Sequence, residues 1–358
     1  MTKWRRGCRI SAMFLSLLLV ASCGSSGTSD QGVGSGTVNC SSNPACTVQS
    51  ISSVAYGAGI YVAVGSGGLG SGSGDTIGPW EEISTDGVSW KVVDSGDATH
   101  GGDLVSVVYG DHGFVALDNS QKLYLSTNGI NWTDVTPSGL ANGELLTVDW
   151  DGSEYIAYNG APILESQDGK TWSAYPATFP SDAPFSIRKV SGTYYALWIG
   201  SSTELFATST DQVHWTPYAV TFSGFPNNNE SPSELIYAAK QFLVVGSRGF
   251  IATSQDGTTW TDNSTGDSSN VFLQAAYNGS VYVAVGSCGS VDYSADGTAW
   301  TQVNITGLLK SNVSCSPGNT QSVQMSAITV AGGSAFVAIG GTEGLTSMDG
   351  IHWTAIKF

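Results

Sequence analysis

The sequence has few cationic side chains. Its 358 residues include 13 Lys and Arg against 29 Asp and Glu, a formal net charge of −16 at pH 7. Four of the cations and none of the acids lie in residues 1–22, which leaves 9 against 29 and a charge of −20. Because nucleic-acid affinity comes from phosphate neutralisation, this balance excludes nucleic acid and argues against anionic lipid headgroups. The acidic charge balance is compatible with an exported protein whose charged surface is simply solvated, or with cationic partners.

Residues that catalysis and metal binding require are also scarce. The chain has four histidines and no Gly-x-Ser-x-Gly turn that would carry a nucleophilic serine. No close His/Cys/Asp spacing indicates zinc, and no segment has the pattern of an EF-hand. We therefore expect no cofactor and no metal, and we assign no catalytic residue.

One apolar run occurs near the start, at residues 10–21, after Lys3, Arg5, Arg6 and Arg9. It is too short to span a bilayer comfortably and is typical of a secretory signal. Its end, Leu-Val-Ala-Ser-Cys, resembles the bacterial lipoprotein signal, which implies cleavage before Cys23 and attachment of lipid to its thiol. An ordinary signal with an incidental cysteine is the alternative.

Three regions follow from this composition. We predict a signal peptide at 1–22, a Gly/Ser-rich tether at 23–46 that ends in a disulfide-linked segment at the start of the fold, and a globular domain at 47–358. The tether has almost no apolar groups to bury. We expect a body anchored in the bacterial envelope, facing the periplasm or the exterior.

The strongest pattern is a phrase of serine, any residue, aspartate, glycine, two residues and tryptophan. It occurs seven times, with Asn128 in place of aspartate in one copy and Gln212 in place of glycine in another, where we expect a more strained or differently shaped turn. Its acidic or amide positions are Asp86, Asn128, Asp168, Asp211, Asp256, Asp296 and Asp349, and its tryptophans are Trp90, Trp132, Trp172, Trp215, Trp260, Trp300 and Trp353. The tryptophans are 40 to 53 residues apart. A period of this length indicates a repeat architecture.

Two β-branched and aromatic runs precede each phrase, as in VAYGAGIYVAVG from Val54, and read as a hairpin. A third strand leads into the phrase and a fourth begins near the tryptophan, and no helical periodicity is present. Each unit is therefore four antiparallel strands, which is typical of a propeller blade. The sequence predicts an all-β protein, a seven-bladed β-propeller.

The phrase resembles the Asp-box, or bacterial neuraminidase repeat, of sialidase-like propellers. It is one residue shorter than the usual box, a form similar to that of exported bacterial propellers and relatives of the photosystem II assembly factor. The resemblance covers residues 47–358 and implies the fold rather than an activity. We expect the boxes to be structural, with the carboxylate capping backbone N–H groups and the indole packing between blades.

Sialidase activity implies three arginines that grip the substrate carboxylate. Beyond the predicted signal the chain has only Arg188 and Arg248, so that activity is rejected. Other glycosidases need only two carboxylates, and the enzyme question stays open on that point.

The box turns join the third and fourth strands, so the long connections lie on the opposite face of the predicted propeller. We expect the ligand there, because loops on a rigid scaffold are where binding sites are built. The candidate binding residues on that face are Asp75, Trp80, Lys122, Glu204, Arg248 and Glu343.

Four cysteines remain after the predicted signal and the predicted lipidation site, and three disulfide pairings are possible. Cys288 and Cys315 fall on the same predicted face of adjacent blades, which favours that pair together with Cys40 and Cys46.

The resulting hypothesis is a monomeric, lipid-anchored, non-catalytic binding or assembly module whose ligand is a protein, a peptide or a glycan. The alternatives are a glycan-active hydrolase that uses a carboxylate pair on the same face, and a structural envelope component.

Overall fold

A computed structural model of the chain describes residues 46–69, 77–93, 102–140, 145, 147–158, 162–179, 184, 186–197, 204–220, 232–267, 269–287, 289–305, 307–309, 325–331 and 335–356. All of them lie in the unit Val38–Phe358. The predicted signal peptide, Cys23, Cys40, Cys288 and Cys315 lie outside the described residues, so lipidation and the disulfides stay predictions. Cys46 begins the first strand.

Twenty-eight strands form seven sheets of four, numbered here as blades I to VII. Blades I and II consist of β1 (Cys46–Gly57), β2 (Ile60–Leu69), β3 (Ile77–Ser84), β4 (Lys91–Val92), β5 (Leu104–Gly110), β6 (Gly113–Asp118), β7 (Leu123–Ser126) and β8 (Thr133–Asp134). Blades III and IV consist of β9 (Thr147–Trp150), β10 (Tyr155–Tyr158), β11 (Ile163–Ser166), β12 (Ser173–Tyr175), β13 (Ser186–Val190), β14 (Thr193–Leu197), β15 (Glu204–Ser209) and β16 (Thr216–Ala219).

Blades V to VII continue the same order. They consist of β17 (Pro232–Ala238), β18 (Gln241–Gly246), β19 (Ile251–Ser254), β20 (Thr261–Asp262), β21 (Val271–Tyr277), β22 (Tyr282–Ser287), β23 (Val291–Ser294), β24 (Thr301–Gln302), β25 (Ala327–Ala331), β26 (Ala335–Gly340), β27 (Glu343–Ser347) and β28 (Thr354–Ile356).

Every blade is antiparallel and keeps its strands in chain order. The first strands of neighbouring blades contact one another around the ring, for example β1 with β5 and β25 with β1, so these strands form its centre. No helix occurs among the described residues, and none of them belongs to a helix long and apolar enough to cross a membrane. The predicted seven-bladed all-β propeller is confirmed.

Apolar side chains fill the spaces between blades. The second strands are buried on both faces; in β6 every residue from Gly113 to Asp118 is buried. Between blades VII and I, Ile51 and Tyr61 pack with Val337 and Ile339. A blade buries its apolar faces only against its neighbours, which is why the repeats stabilise one another.

Side-chain hydrogen bonds also join each blade to the next near the centre. At five boundaries they are made by Ser53 with Val107, Ser106 with Val148, Tyr158 with Ile187, Ser186 with Leu235 and Glu234 with Ala275. Gln274 accepts from the N–H of Ile328, and Ser326 donates to the carbonyl of Ile51 and closes the ring. Each bond satisfies a backbone group on the inner edge of a first strand, where no further strand supplies a partner.

Within the described part of the chain, the ring closes without exchange of strands between its ends. There blade VII consists of β25 to β28, and blade I of β1 to β4. The Ile51 N–H donates to the Gly341 carbonyl at 2.8 Å, which adds a backbone link to the apolar contacts across this boundary.

Candidate functional site

The box turns connect the third and fourth strands of each blade and share one face with the turns between first and second strands. We call this the box face and the opposite one the loop face. In blade V the Gly257 N–H donates to Ser254 Oγ at 2.8 Å, and the Thr258 and Thr259 N–H groups both donate to Asp256 Oδ1 at 2.7 Å. The turn therefore satisfies its own backbone donors.

These hydrogen bonds stabilise the ionised carboxylate. Backbone donors lower the pKa of Asp86, Asp168 and Asp296 to about 2. In blade II, Asn128 Oδ1 accepts from the N–H groups of Ile130 and Asn131 at 3.0 and 2.9 Å, so the turn forms without a charge. The carboxylates of the boxes are thus engaged in holding their own turns.

Box glycines lie in the left-handed region and touch the preceding blade. Gly129 has φ of 68°, and a Cβ there would lie 2.5 Å from Val62 Cγ2. Blade IV departs from this rule, because Gln212 occupies the glycine position with φ of 60°. Its residue is only 2% exposed, and its side chain forms a hydrogen bond with Glu165 of blade III.

The box tryptophans mostly bond to their own turns. The indole N–H groups of Trp215, Trp260, Trp300 and Trp353 donate to the carbonyl of the residue three positions earlier. Trp132 instead donates to Glu81 Oε2 of blade I at 2.9 Å. These indoles fix box turns and blade boundaries.

The candidate residues of the loop face are spread over several blades. Trp80 lies in β3, is 5% exposed and donates from its indole to Glu82 Oε1, so its ring belongs to the core and not to a surface rim. The Gly-rich sequence before Trp80 predicts a long connection from Ser66 to Trp80 between the second and third strands, but this connection is shorter, because β2 extends to Leu69 and β3 begins at Ile77.

The other candidates have separate surroundings. Lys122 pairs with Asp134 at 3.4 Å, and both side chains are partly exposed. Arg248 is exposed in the turn between β18 and β19 and has φ of 60°. Glu343 begins β27 and is 8% exposed, Glu204 begins β15, and Asp75 lies outside the described residues. The structure therefore does not bring these residues together into one described site.

A polar depression of about 440 Å³ lies on the box face. We call it the acidic cleft, and its lining residues, all from blade III, are Glu154, Glu165, Ser166, Gln167, Asp168, Thr171, Ser173 and Tyr175. Blade IV contributes Tyr194, which donates to Glu165 Oε1 at 2.9 Å, and Lys189, whose Nζ lies 3.3 Å from Glu154 Oε2.

The two glutamates of the acidic cleft have opposite pKa shifts. Burial raises the pKa of Glu165, against the hydrogen bond from Tyr194, and the charge of Glu154 raises it further. The pKa of Glu154 is lowered: burial acts to raise it, but Gln167, which donates to Oε1 at 2.9 Å, and Lys189 outweigh burial. Each of the two carboxyls also contributes to the pKa shift of the other.

An equivalent depression of about 360 Å³ lies between blades V and VI. We call it the threonine cleft, and its lining residues are Gln241, Thr253, Ser254, Gln255, Asp256, Thr259, Thr261 and Thr298. Gln241 and Thr253 occupy the positions of Glu154 and Glu165. The Gln241 amide donates to the Asp296 carbonyl at 2.7 Å and to Tyr282 Oη at 3.1 Å.

A further charged group lies at the ring centre on the first strands of blades III to V. Arg188 pairs with Asp149 and lies 3.5 Å from Glu234 Oε1. Burial raises the pKa of Glu234 to about 7, although Arg188 acts to lower it. In the described part of the chain no three His, Cys, Asp or Glu side chains form a metal-binding group.

Glu154, Glu165 and Lys189 are not among the residues that the sequence pattern predicts as functional. One available signal was Gln212, the single replacement of glycine among the seven boxes. Another was Glu165 itself, since the residue before the box serine is Ile83, Leu125, Thr208, Thr253, Tyr293 or Thr346 in the other blades.

Comparison with known proteins identifies the fold but assigns the chain to no family. No family model matches the chain, and no curated protein matches it. Among solved structures it is similar to YCF48 bound to D1 peptide, at 16% identity and a TM-score of 0.60, over 85% of this chain and 92% of that one. It is also similar to the WD40 propeller domain of Doa1, at 12% identity and a TM-score of 0.56, over 82% and 90% of the two chains.

A third similar structure is PorZ, a surface component of the type-IX secretion system of Porphyromonas gingivalis. It is 10% identical with a TM-score of 0.57, and the match covers 87% of this chain but only 38% of PorZ. At these identities the likeness shows the fold alone. The class that fold and comparisons define is the seven-bladed β-propeller.

Proposed function

We propose that this chain is a non-catalytic binding or assembly module of the bacterial envelope, anchored through lipid on Cys23, with its ligand on the loop face. The ligand class is a protein, a peptide or a glycan. The carrying observation is that all seven box turns have the same length, whereas the connections on the opposite face vary in length.

Six residues separate the third and fourth strands in all seven blades, as at 85–90 and 348–353. On the loop face, connections between blades range from eight residues at 263–270 to 24 residues at 303–326. A connection under purely structural constraint keeps its length, whereas varied loops on a rigid scaffold commonly carry recognition. The loop face therefore fits a binding role better than the repeated box turns do.

The solved neighbours support a binding role by analogy. YCF48 was solved with a peptide, and the Doa1 domain is a WD40 propeller. Kinship with Asp-box propellers and a Cys288–Cys315 disulfide that ties two loop-face connections belong to the same proposal. A shared fold alone does not transmit an activity.

The carboxyl pair of the acidic cleft does not favour a hydrolase on the box face. Glycosidases hold their two carboxyls about 5–10 Å apart so that the sugar, and in inverting enzymes a water, fits between them. In the acidic cleft, Lys189 and Gln167 already contact Glu154, and Tyr194 donates to Glu165. These contacts favour a structural or binding role for the pair over hydrolysis.

Site-specific photocrosslinking in the native envelope tests the face assignment. A photoreactive residue replaces Lys122 or Arg248 on the loop face, and Val88 or Met348, which are 42% and 66% exposed, on the box face. We expect one discrete adduct shared by both loop-face positions and none from the two box-face positions. Equal adducts from both faces, or adducts from the box face alone, would overturn the assignment.

The anchor has a separate test. Cys23→Ala is expected to move the chain from the membrane fraction to the soluble fraction, because the variant cannot be lipidated and has no acyl chain to insert into the membrane. Continued membrane fractionation of Cys23→Ala would contradict the anchor and leave the loop-face proposal standing.

A further inference from the structure

We propose that the acidic cleft is a second binding site, on the box face, for the cationic side chain of a basic polypeptide, with arginine as its best fit. This site is independent of the proposed loop-face ligand.

Charge is the first argument. Asp151, Glu154, Glu165 and Asp168 bring four carboxyls to one region, and Lys189 supplies a single ammonium group. Lys189 is held in place, with Nζ 3.3 Å from Glu154 Oε2 and 4.8 Å from the centre of the Tyr194 ring. A second cation would therefore enter a region of uncompensated negative charge beside a fixed first one.

Burial is the second argument. Glu165 is only 8% exposed, and burying a carboxylate is costly unless an opposite charge or several donors offset it. The groups that interact with Glu165 are the Tyr194 and Tyr175 hydroxyls and the Gln212 amide, which are neutral, and its carboxyl neighbour Glu154 brings no positive charge. A guanidinium at the cleft would supply the missing charge.

An unpartnered acceptor gives the third, independent argument. Gln212 is 2% exposed, and its Oε1 has no hydrogen-bond partner among the described residues. The Gln212 side chain interacts with Glu165, which lines the cleft, so this oxygen lies close to that carboxylate, although Gln212 itself does not line the cleft. A guanidinium has five donors in a planar fork and can serve a carboxylate and an adjacent amide oxygen together.

A neutral sugar is a poorer match for this chemistry. Sugar hydroxyls donate hydrogen bonds but leave the net charge of the cleft unchanged. The threonine cleft has the same frame without the two glutamates. There Gln241 donates to Asp296 and Tyr282, and Asn263 donates to Thr253 Oγ1 at 2.7 Å. The acidic cleft differs from it in charge more than in shape.

Titration with a matched pair of small probes tests the site on the full chain. N-acetylarginine amide is the cation, and N-acetylcitrulline amide has nearly the same shape without the charge. Binding is followed by the amide NMR signals of residues 165–175 and 210–215. We expect the arginine probe to bind at least tenfold more tightly than citrulline, and binding to weaken as pH falls and the Glu165 carboxyl is protonated.

Variants separate the site from general electrostatics. Glu165→Thr introduces the residue found in the threonine cleft and is expected to weaken arginine binding at least tenfold. Glu154→Gln removes the second, more exposed carboxyl of the cleft and is also expected to weaken binding of the arginine probe. Asp111→Asn, on the exposed turn of blade II, removes a charge from the same face and is expected to leave binding unchanged.

Three outcomes overturn the proposal. They are equal affinity for both probes, signal changes spread over all seven boxes, and displacement of the arginine probe by millimolar Ca²⁺, which would identify a metal site instead.

Discussion

The acidic cleft and the threonine cleft occupy the same place in two blade pairs and share the Ser-x-Asp-Gly frame. They differ at Glu154 against Gln241, Glu165 against Thr253, and Gln212 against Gly297. In the threonine cleft the glycine lies beside Gln241, whose amide is fully engaged. In the acidic cleft a longer side chain reaches the preceding blade and bonds a carboxylate. A repeat therefore acquires individual chemistry where consensus positions are replaced in concert across a blade boundary.

The two blade pairs also differ in the hydrogen bonding of their buried carboxyls. Substitution of the buried Asp292 is expected to change the free energy of unfolding most. Asp292 of blade VI is 2% exposed, and its Oδ1 has no hydrogen-bond partner among the described residues. It pairs across strands with Ala284, which packs against blade V. Burial, with a smaller contribution from the charge of Asp267, raises its pKa to about 6.

A raised carboxyl pKa means that the folded state binds the proton more tightly than the unfolded state. The associated stability is present below about pH 4 and is lost as pH rises through 6. Asp292→Asn keeps the uncharged form, so we expect a gain of up to about 3 kcal/mol at pH 8 and almost none at pH 4. Urea unfolding at the two pH values measures this; a loss of stability at pH 8 would mean that a cation balances Asp292.

Glu165→Gln is the matching change in the acidic cleft. Because Tyr194 and Gln212 already donate to Glu165, we expect a smaller gain at pH 8 than for Asp292→Asn. A larger gain for Glu165→Gln in the same unfolding measurement would reverse the contrast drawn between the two boundaries.

Exchange of the residues at the box glycine position, Gly297 and Gln212, is expected to have the next largest effect on stability. Gly297 has φ of 81°, and a Cβ there would lie 2.7 Å from Gln241 Nε2 and 3.4 Å from Thr253 Cγ2. We expect Gly297→Gln to cost about 2–3 kcal/mol, from backbone strain and displacement of Gln241.

Gln212→Gly is the reciprocal change. It relieves a non-glycine residue at φ of 60° but removes a donor to Glu165, so we expect a cost below about 1 kcal/mol. Thermal unfolding compares the two variants, and a Gln212→Gly cost equal to that of Gly297→Gln would show that neither cleft tolerates the other's box.

The smallest expected effect concerns the box carboxylates themselves. Asn128 makes the same two backbone contacts as the aspartates. Asp256→Asn in the threonine cleft should therefore change stability by less than about 0.5 kcal/mol, whereas Asp256→Ala, which removes the acceptor, should cost about 1 kcal/mol. Equal losses for both variants in thermal unfolding would show that the charge, not the acceptor, holds the turn.

The fold was predictable because its signals are local and repeated. Seven boxes and the β-branched runs before them determine strand number and order, and the structure has both. Trp80 is a residue whose environment could not be predicted from its local sequence. Its sequence lies next to a Gly-rich segment and suggested an exposed rim, but an indole that finds Glu82 as an acceptor is more stable in the core.

The acidic cleft was not predictable for a different reason. Glu154 and Glu165 meet only through the pairing of β10 with β11, and Lys189 and Tyr194 arrive from the next blade. No spacing rule within one repeat encodes which side chains face each other across a blade boundary. Gln212 marked the place but not its chemistry.

The most direct test of the central claim moves the acidic cleft to the other blade pair. Gln241→Glu, Thr253→Glu and Gly297→Gln together install both carboxyls and the box glutamine in the threonine cleft, in a background where Glu165→Thr has disabled the acidic one. The account predicts that arginine-probe binding, mapped by amide NMR, disappears from residues 165–175 and appears at residues 253–261. Binding that persists at 165–175, or fails to appear at 253–261 in a folded variant, would contradict the claim that paired carboxyls on this frame define the cation site.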